Sequence, residues 1–146
     1  MSRLYMLDTN SVSYILKSKS PAARARLAAL GADEVACISI VTEFELEFGL
    51  ARNPNAQNLR HAIRWFLARI QVLPLGSAEA RAYGQLRAQQ EAAGRPLESM
   101  DMLIAAHAIA VGAILVTGDK VFDSVSGLAG RENWATDLIT QPPAKS

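Results

Sequence analysis

The chain has 146 residues, half of them hydrophobic and a fifth charged, which suits one folded domain and excludes a disordered chain. Fifteen Lys and Arg against fourteen Asp and Glu leave a net charge of +1, so no global field draws in a polyanion. The single cysteine, Cys37, excludes an internal disulfide and fits a reducing, cytoplasmic setting.

Residues 4–7 form a short apolar strand that stops at Asp8, which also breaks any secretory signal. Residues 11–17 read as a helix. Ser20-Pro21 starts a second helix that runs to about Leu30, before Gly31. Residues 35–38 are an apolar strand. Ser39 or Thr42 caps the next helix, which ends near Arg52, and Asn53-Pro54-Asn55 breaks the chain. A long helix over 56–70 leads to a strand over 71–75. The segment 77–93 is helical and closes at Gly94 and Pro96. Residues 100–111 form an apolar helix and 114–117 a strand. The run over 102–116 falls short of the ~20 residues a membrane-spanning helix needs. A single domain is expected over 1–138, with a frayed tail over 139–146.

Strands alternate with helices, and the strands are apolar on both faces. That pattern predicts an α/β fold with a short central parallel sheet and helices on both faces. Ligands of such sheets bind beyond the carboxyl ends of the strands. Asp8 and Asp119 follow strands, Glu45 lies in the opening turns of the helix after the second strand, and Asp101 opens the apolar helix. Parallel topology brings all four to one edge.

At about 100° per residue, Glu45 lies beside Val41, Phe48 and Gly49, at the border of an apolar stripe. Gly49 leaves room for a close approach. Glu43 and Glu47 are i,i+4 neighbours on another side, best left in water. A capping box from Thr42 to Glu45 is the competing explanation of this glutamate. For Asp101 the competing explanation is an acid answering the helix dipole.

Crowded carboxylates cannot all stay ionised without a partner. Lys120 is the one lysine near them, so a divalent cation is the expected neutraliser. Oxygen-only donors select Mg²⁺ or Mn²⁺ over zinc. His61 and His107 lack zinc spacing: His107 reads as structural and His61 as surface. Serine or cysteine nucleophile signatures and Gly-rich phosphate loops are missing from the sequence.

In this order, Met6-Leu-Asp-Thr-Asn10, Ile38-Ser-Ile-Val-Thr-Glu-Phe-Glu-Leu46, Gly94-Arg-Pro-Leu97 with Met100-Asp-Met-Leu-Ile-Ala-Ala-His-Ala108, and Leu115-Val-Thr-Gly-Asp119 resemble the PIN domain, specifically the VapC toxins of VapBC toxin–antitoxin pairs. The resemblance covers roughly residues 4–134. It implies a PIN-like three-layer fold and a Mg²⁺-dependent endoribonuclease. The family's acids fall on Asp8, Glu45, Asp101 and Asp119, which would hold the metal and carry catalysis, with Asn10 and Thr117 in support. Asp123 competes with Asp119 as the fourth acid, and Glu98 stands where many relatives have glycine. The family also implies a VapB-like antitoxin, a toxin homodimer within a toxin–antitoxin hetero-oligomer, and RNA substrates that include tRNA.

Two other functions compete. Asp8 suits the nucleophile of a haloacid-dehalogenase-like phosphatase, with Gly118-Asp119 and Asp123 as its late metal motif, but Asn10 stands where that chemistry wants a second aspartate. A catalytically inactive PIN-like module would bind RNA or a partner only. If RNA is the substrate, local cations must attract it. Lys17, Lys19, Arg24 and Arg26 form one candidate RNA-binding cluster, and Arg60 with Arg64 a second.

Overall fold

A strand sends successive side chains to opposite faces, so a strand apolar at every position needs cover on both. A computed structural model describes residues 2–17 and 21–135. Its strands are β1 (Arg3–Leu7), β2 (Glu34–Ser39), β3 (Gln71–Leu73), β4 (Ile114–Val116) and β5 (Arg131–Glu132). They lie in the order β3-β2-β1-β4-β5, and every pairing is parallel. Met6 registers with Cys37 on one side and Leu115 on the other. These three face an apolar layer that includes Leu86, Met102 and Phe122. Tyr5 and Leu7 point the other way, with Ile38 and Val116, towards Ile63 and Phe66.

Among the described residues, six helices supply the cover: α1 (Thr9–Leu16), α2 (Pro21–Ala28), α3 (Ile40–Arg52), α4 (Gln57–Leu67), α5 (Ser77–Ala92) and α6 (Ser99–Val111). The first four bring Val12, Ile15, Ala23, Leu46, Leu50, Ile63 and Phe66 to the Tyr5 face. Helices α5 and α6 bring Leu86, Met102, Ile104 and Ala105 to the Met6 face. The expected three-layer α/β architecture is present.

Differences from the sequence reading are local. β3 ends at Leu73 because Pro74 has no amide for the ladder. α4 is shorter than expected at both ends, and α1 starts two residues early, directly on Asp8. Helix α6 stops where Gly112 takes the left-handed φ of 71°. The turn of 3-10 helix at Lys120–Ser124 and the edge strand β5 were not anticipated. The expected tail over 139–146, the domain end at 138, and Lys19 lie outside the described residues.

Candidate functional site

The carboxyl edge of the sheet is tied together at β1 and β4. The Asp8 amide donates to the Val116 carbonyl at 3.0 Å, and the Ser11 hydroxyl donates to that same oxygen at 3.1 Å. Asp8 is only 5% exposed and caps α1, one carboxylate oxygen accepting from the Ser11 amide at 2.8 Å. Three residues past β4, the Asp119 amide donates to Thr117 Oγ1 at 3.0 Å, and its carboxylate accepts from the Val121 amide at 3.0 Å. Thr117 is buried, so this turn is fixed from below.

Ser39, not Thr42, caps α3: its hydroxyl accepts from the Val41 amide at 3.1 Å. Thr42 is fully buried inside the helix. This removes the capping-box explanation of Glu45. The half-buried Glu45 carboxylate instead accepts from the Thr9 hydroxyl, which also lies 3.3 Å from the Thr42 hydroxyl. Thr9 follows Asp8 directly, so one short segment holds two of the acids.

Asp101 opens α6, half-buried. Burial pushes its carboxyl up to about 6, and Asp119, Glu98, Asp8 and Glu45 push it in the same direction. All four predicted acids therefore share one electrostatic neighbourhood, with Glu98 as a fifth member. No Lys or Arg forms an ion pair with any of the five among the described residues. Asp123 is different: its carboxylate pairs with Arg131. Among the described residues, no three His, Cys, Asp or Glu side chains stand close enough together to hold a metal ion as arranged.

Other expectations need correction. Asn10 is exposed in the first turn of α1, and its side chain makes no hydrogen bond among the described residues. Arg26 is not free for RNA. Its guanidinium sits 5.1 Å from the rings of both Tyr5 and Trp134 and pairs with Glu34 at 3.9 Å and Glu132 at 3.4 Å. Arg24 is exposed, but its Nε donates to the Ile15 carbonyl at the end of α1. Lys17 is exposed, at the opposite end of α1 from Asp8. In the second cluster, Arg64 grips Glu47 with two bonds of 2.6 and 3.1 Å, so Glu47 is paired rather than simply solvated. Phe48 is 62% exposed and no part of the core, because the buried stripe of α3 runs through Val41, Thr42, Leu46 and Leu50. Gly49 makes no close approach: an added Cβ would meet nothing within 4 Å.

Both histidines are placed as expected. His61 is exposed, and His107 is fully buried with Nδ1 2.7 Å from the Ser39 hydroxyl. Burial lowers the His107 pKa, so the ring is neutral. Burial also pushes the Cys37 thiol up to about 12, which leaves it inert as a nucleophile. The contacts of Thr9 and Ser11 were missed from sequence. The hydroxyl-rich run directly after Asp8 was the available signal.

Residues 5–128 match the PIN domain family, a span that includes all four acids. The chain belongs to the PIN domain family. Among relatives, it is 36% identical over 132 residues to the tRNA(fMet)-specific endonuclease VapC of Shigella flexneri, covering 90% of this chain and 98% of that one. It is 31% identical, with the same coverage, to Ribonuclease VapC2 of Rickettsia felis. The fold superposes with a TM-score of 0.84, at 30% identity, on a chain in the crystal structure of VapBC2 from Rickettsia felis bound to a DNA fragment from their promoter. That match covers 90% of this chain and 98% of the other. Membership of the PIN family sets aside the dehalogenase-type reading. No described helix of this PIN domain is long and apolar enough to cross a membrane.

Proposed function

We propose that this PIN domain is a metal-dependent endoribonuclease that hydrolyses RNA phosphodiester bonds and is restrained by a VapB-like antitoxin. The names of its relatives support ribonuclease activity, and their complexes support the antitoxin. One observation carries the reading: Asp101 is half-buried, its carboxyl is raised by burial and then by four neighbouring acids, and no side-chain cation pairs with any of the five among the described residues.

Asp8, Glu45, Asp101 and Asp119 would hold Mg²⁺ or Mn²⁺. The donor set fits: all four are carboxylates, and hard divalent cations prefer oxygen. Asp8, Glu45 and Asp119 each engage one oxygen with a protein donor and keep the second without a partner among the described residues. A bound cation would supply Lewis acidity at the scissile phosphate and a source of hydroxide at neutral pH. The chain's own work is positional. The Ser11 amide fixes Asp8, the Thr9 hydroxyl fixes Glu45, and the Val121 amide with Thr117 fixes Asp119. Asp119 is the fourth acid of this reading, since Asp123 is engaged by Arg131.

A toxin homodimer inside a toxin–antitoxin hetero-oligomer, working in the cytoplasm, completes the proposal. Of the first basic cluster, Lys17, Lys19 and Arg24 are left to meet the RNA backbone. The test is incubation of purified protein with total RNA and with initiator tRNA, in Mg²⁺, Mn²⁺ or EDTA. Cleavage in metal and none in EDTA is expected. Equal cleavage in EDTA refutes the metal. Binding without cleavage in either metal makes the chain an inactive RNA-binding module.

A further inference from the structure

Asp101 and Asp119 reach the site from separate segments, and one buried side chain joins those segments. Gln90, in the last turn of α5, is 4% exposed. Its amide nitrogen carries two N–H donors, and burial makes an unmade bond costly. Both donors are used. Nε2 donates to the Arg95 carbonyl at 2.8 Å and to the Ser124 hydroxyl at 3.3 Å.

Each bond leads to an acid. Arg95 belongs to the loop between α5 and α6, which turns back at Gly94 with a φ of 69°. The Arg95 amide also donates to the Gln90 carbonyl at 2.8 Å, so Gln90 holds Arg95 through both its main chain and its side chain. Beyond Arg95, Leu97 is buried, the Glu98 carbonyl accepts from the Met102 amide, and Asp101 lies in the first turn of α6. In the other direction, Ser124 ends the 3-10 turn that follows Asp119. Its hydroxyl accepts from Gln90 and donates to the Val121 carbonyl at 3.2 Å. The amide of the same Val121 holds the Asp119 carboxylate. Phe122, fully buried, seats this turn in the core, and the hydrogen bonds add direction to its placement. Asp119 also acts on Asp101 more strongly than the other three acids do. A neutral amide can join the two segments without adding charge beside the carboxylates.

We infer that Gln90 is a positioning residue of the acid site, its side-chain amide fixing the spacing of Asp101 and Asp119 by tying the α5–α6 loop to the turn after Asp119. The inference rests on the metal-dependent reading and deepens it. Gln90 acts on the site through Arg95 and Ser124, as an outer support of the metal ligands.

The experiment is titration of the full chain with Mn²⁺, followed by electron paramagnetic resonance in the absence of RNA. Melting curves in EDTA and RNA cleavage in Mg²⁺ are measured on the same preparations. Gln90→Met keeps the length of the side chain and removes both donors. Ser124→Ala removes only the link to the turn and spares the Arg95 bond, so it decides the matter should Gln90→Met fail to fold. Each should weaken Mn²⁺ binding about tenfold, the lower end of the loss when an outer partner of a metal ligand is removed. Ser124→Thr, which keeps the hydroxyl, should restore the affinity. Gln89→Met, the same exchange at the exposed neighbouring position of α5, should leave it unchanged. Wild-type Mn²⁺ affinity in Ser124→Ala overturns the inference, whatever its melting temperature, and leaves the metal-dependent reading standing. An equal loss in Gln89→Met, or no recovery in Ser124→Thr, also overturns it. Wild-type protein that binds no Mn²⁺ removes the metal and the inference together.

Discussion

Glu43 and Glu45 are two positions apart, and the helix turns that spacing into different surroundings. Glu45 meets Thr9 at the acid edge, and Glu43 does not. Glu45→Gln is expected to lower RNA cleavage by roughly 100-fold or more, since even outer partners of metal ligands cost about 10- to 100-fold. Glu43→Gln should stay within about twofold of wild type on the same scale. Parallel cleavage assays in Mg²⁺ check the pair. Asp101 gives a stability prediction that needs no substrate. Its folded pKa of about 6 lies above the ordinary 3.8, so its protonated form is the one the fold favours. That contribution is complete below pH 4 and is lost as pH rises through 6. In EDTA, Asp101→Asn should therefore melt higher than wild type at pH 7, and the gap should shrink towards pH 5. Melting curves across that range read it, and a gap that widens on acidification contradicts it. That Glu45 lies on another side of α3 from Glu43 and Glu47 was legible from helical angle, because a helix face is a local property. Its hydroxyl partner was not, because Thr9 lies 36 residues away and meets it only after folding.

At the scale of elements, Asp8 has two roles that can be separated. Its carboxylate caps α1 and belongs to the acid cluster. Asparagine caps as well as aspartate does, and alanine does not. Asp8→Asn should keep the melting temperature near wild type and abolish cleavage. Asp8→Ala should abolish cleavage and cost about 1 kcal/mol besides. Denaturant curves on the two proteins distinguish the cases. Helices and central strands were legible because 3.6- and 2-residue patterns are written locally. Strand β5 was not: Arg131 and Glu132 are polar, and only their bonds to β4 make them a strand. Arg26 was misread for a related reason. Nothing near it in sequence announces Tyr5, Glu132 and Trp134, which bind it from both ends of the chain. Arg26→Ala should destabilise the fold by about 2 kcal/mol, from lost contact with two rings. RNA affinity should stay unchanged, and a loss of affinity without a loss of stability would return Arg26 to the RNA path.

For the whole molecule, a net charge of +1 means that RNA binding must come from local fields. Affinity should fall steeply with salt, and each lost phosphate contact should reduce the slope of log affinity against log salt by about 1. Joint replacement Lys17→Ala and Arg24→Ala tests the end of α1 in this way. An unchanged slope would exclude that cluster from the backbone path. The strand order carries a last consequence. β1 is made first and sits at the centre of the sheet, but its two neighbours are β2 and β4. Asp8 is held through Val116, and Asp101 and Asp119 come from the last third of the sequence. A ribosome translating this chain therefore carries no complete acid cluster until β4 and the turn after it have emerged. The proposed poison is harmless to the machine that makes it for most of its synthesis, which gives a restraining partner time to arrive.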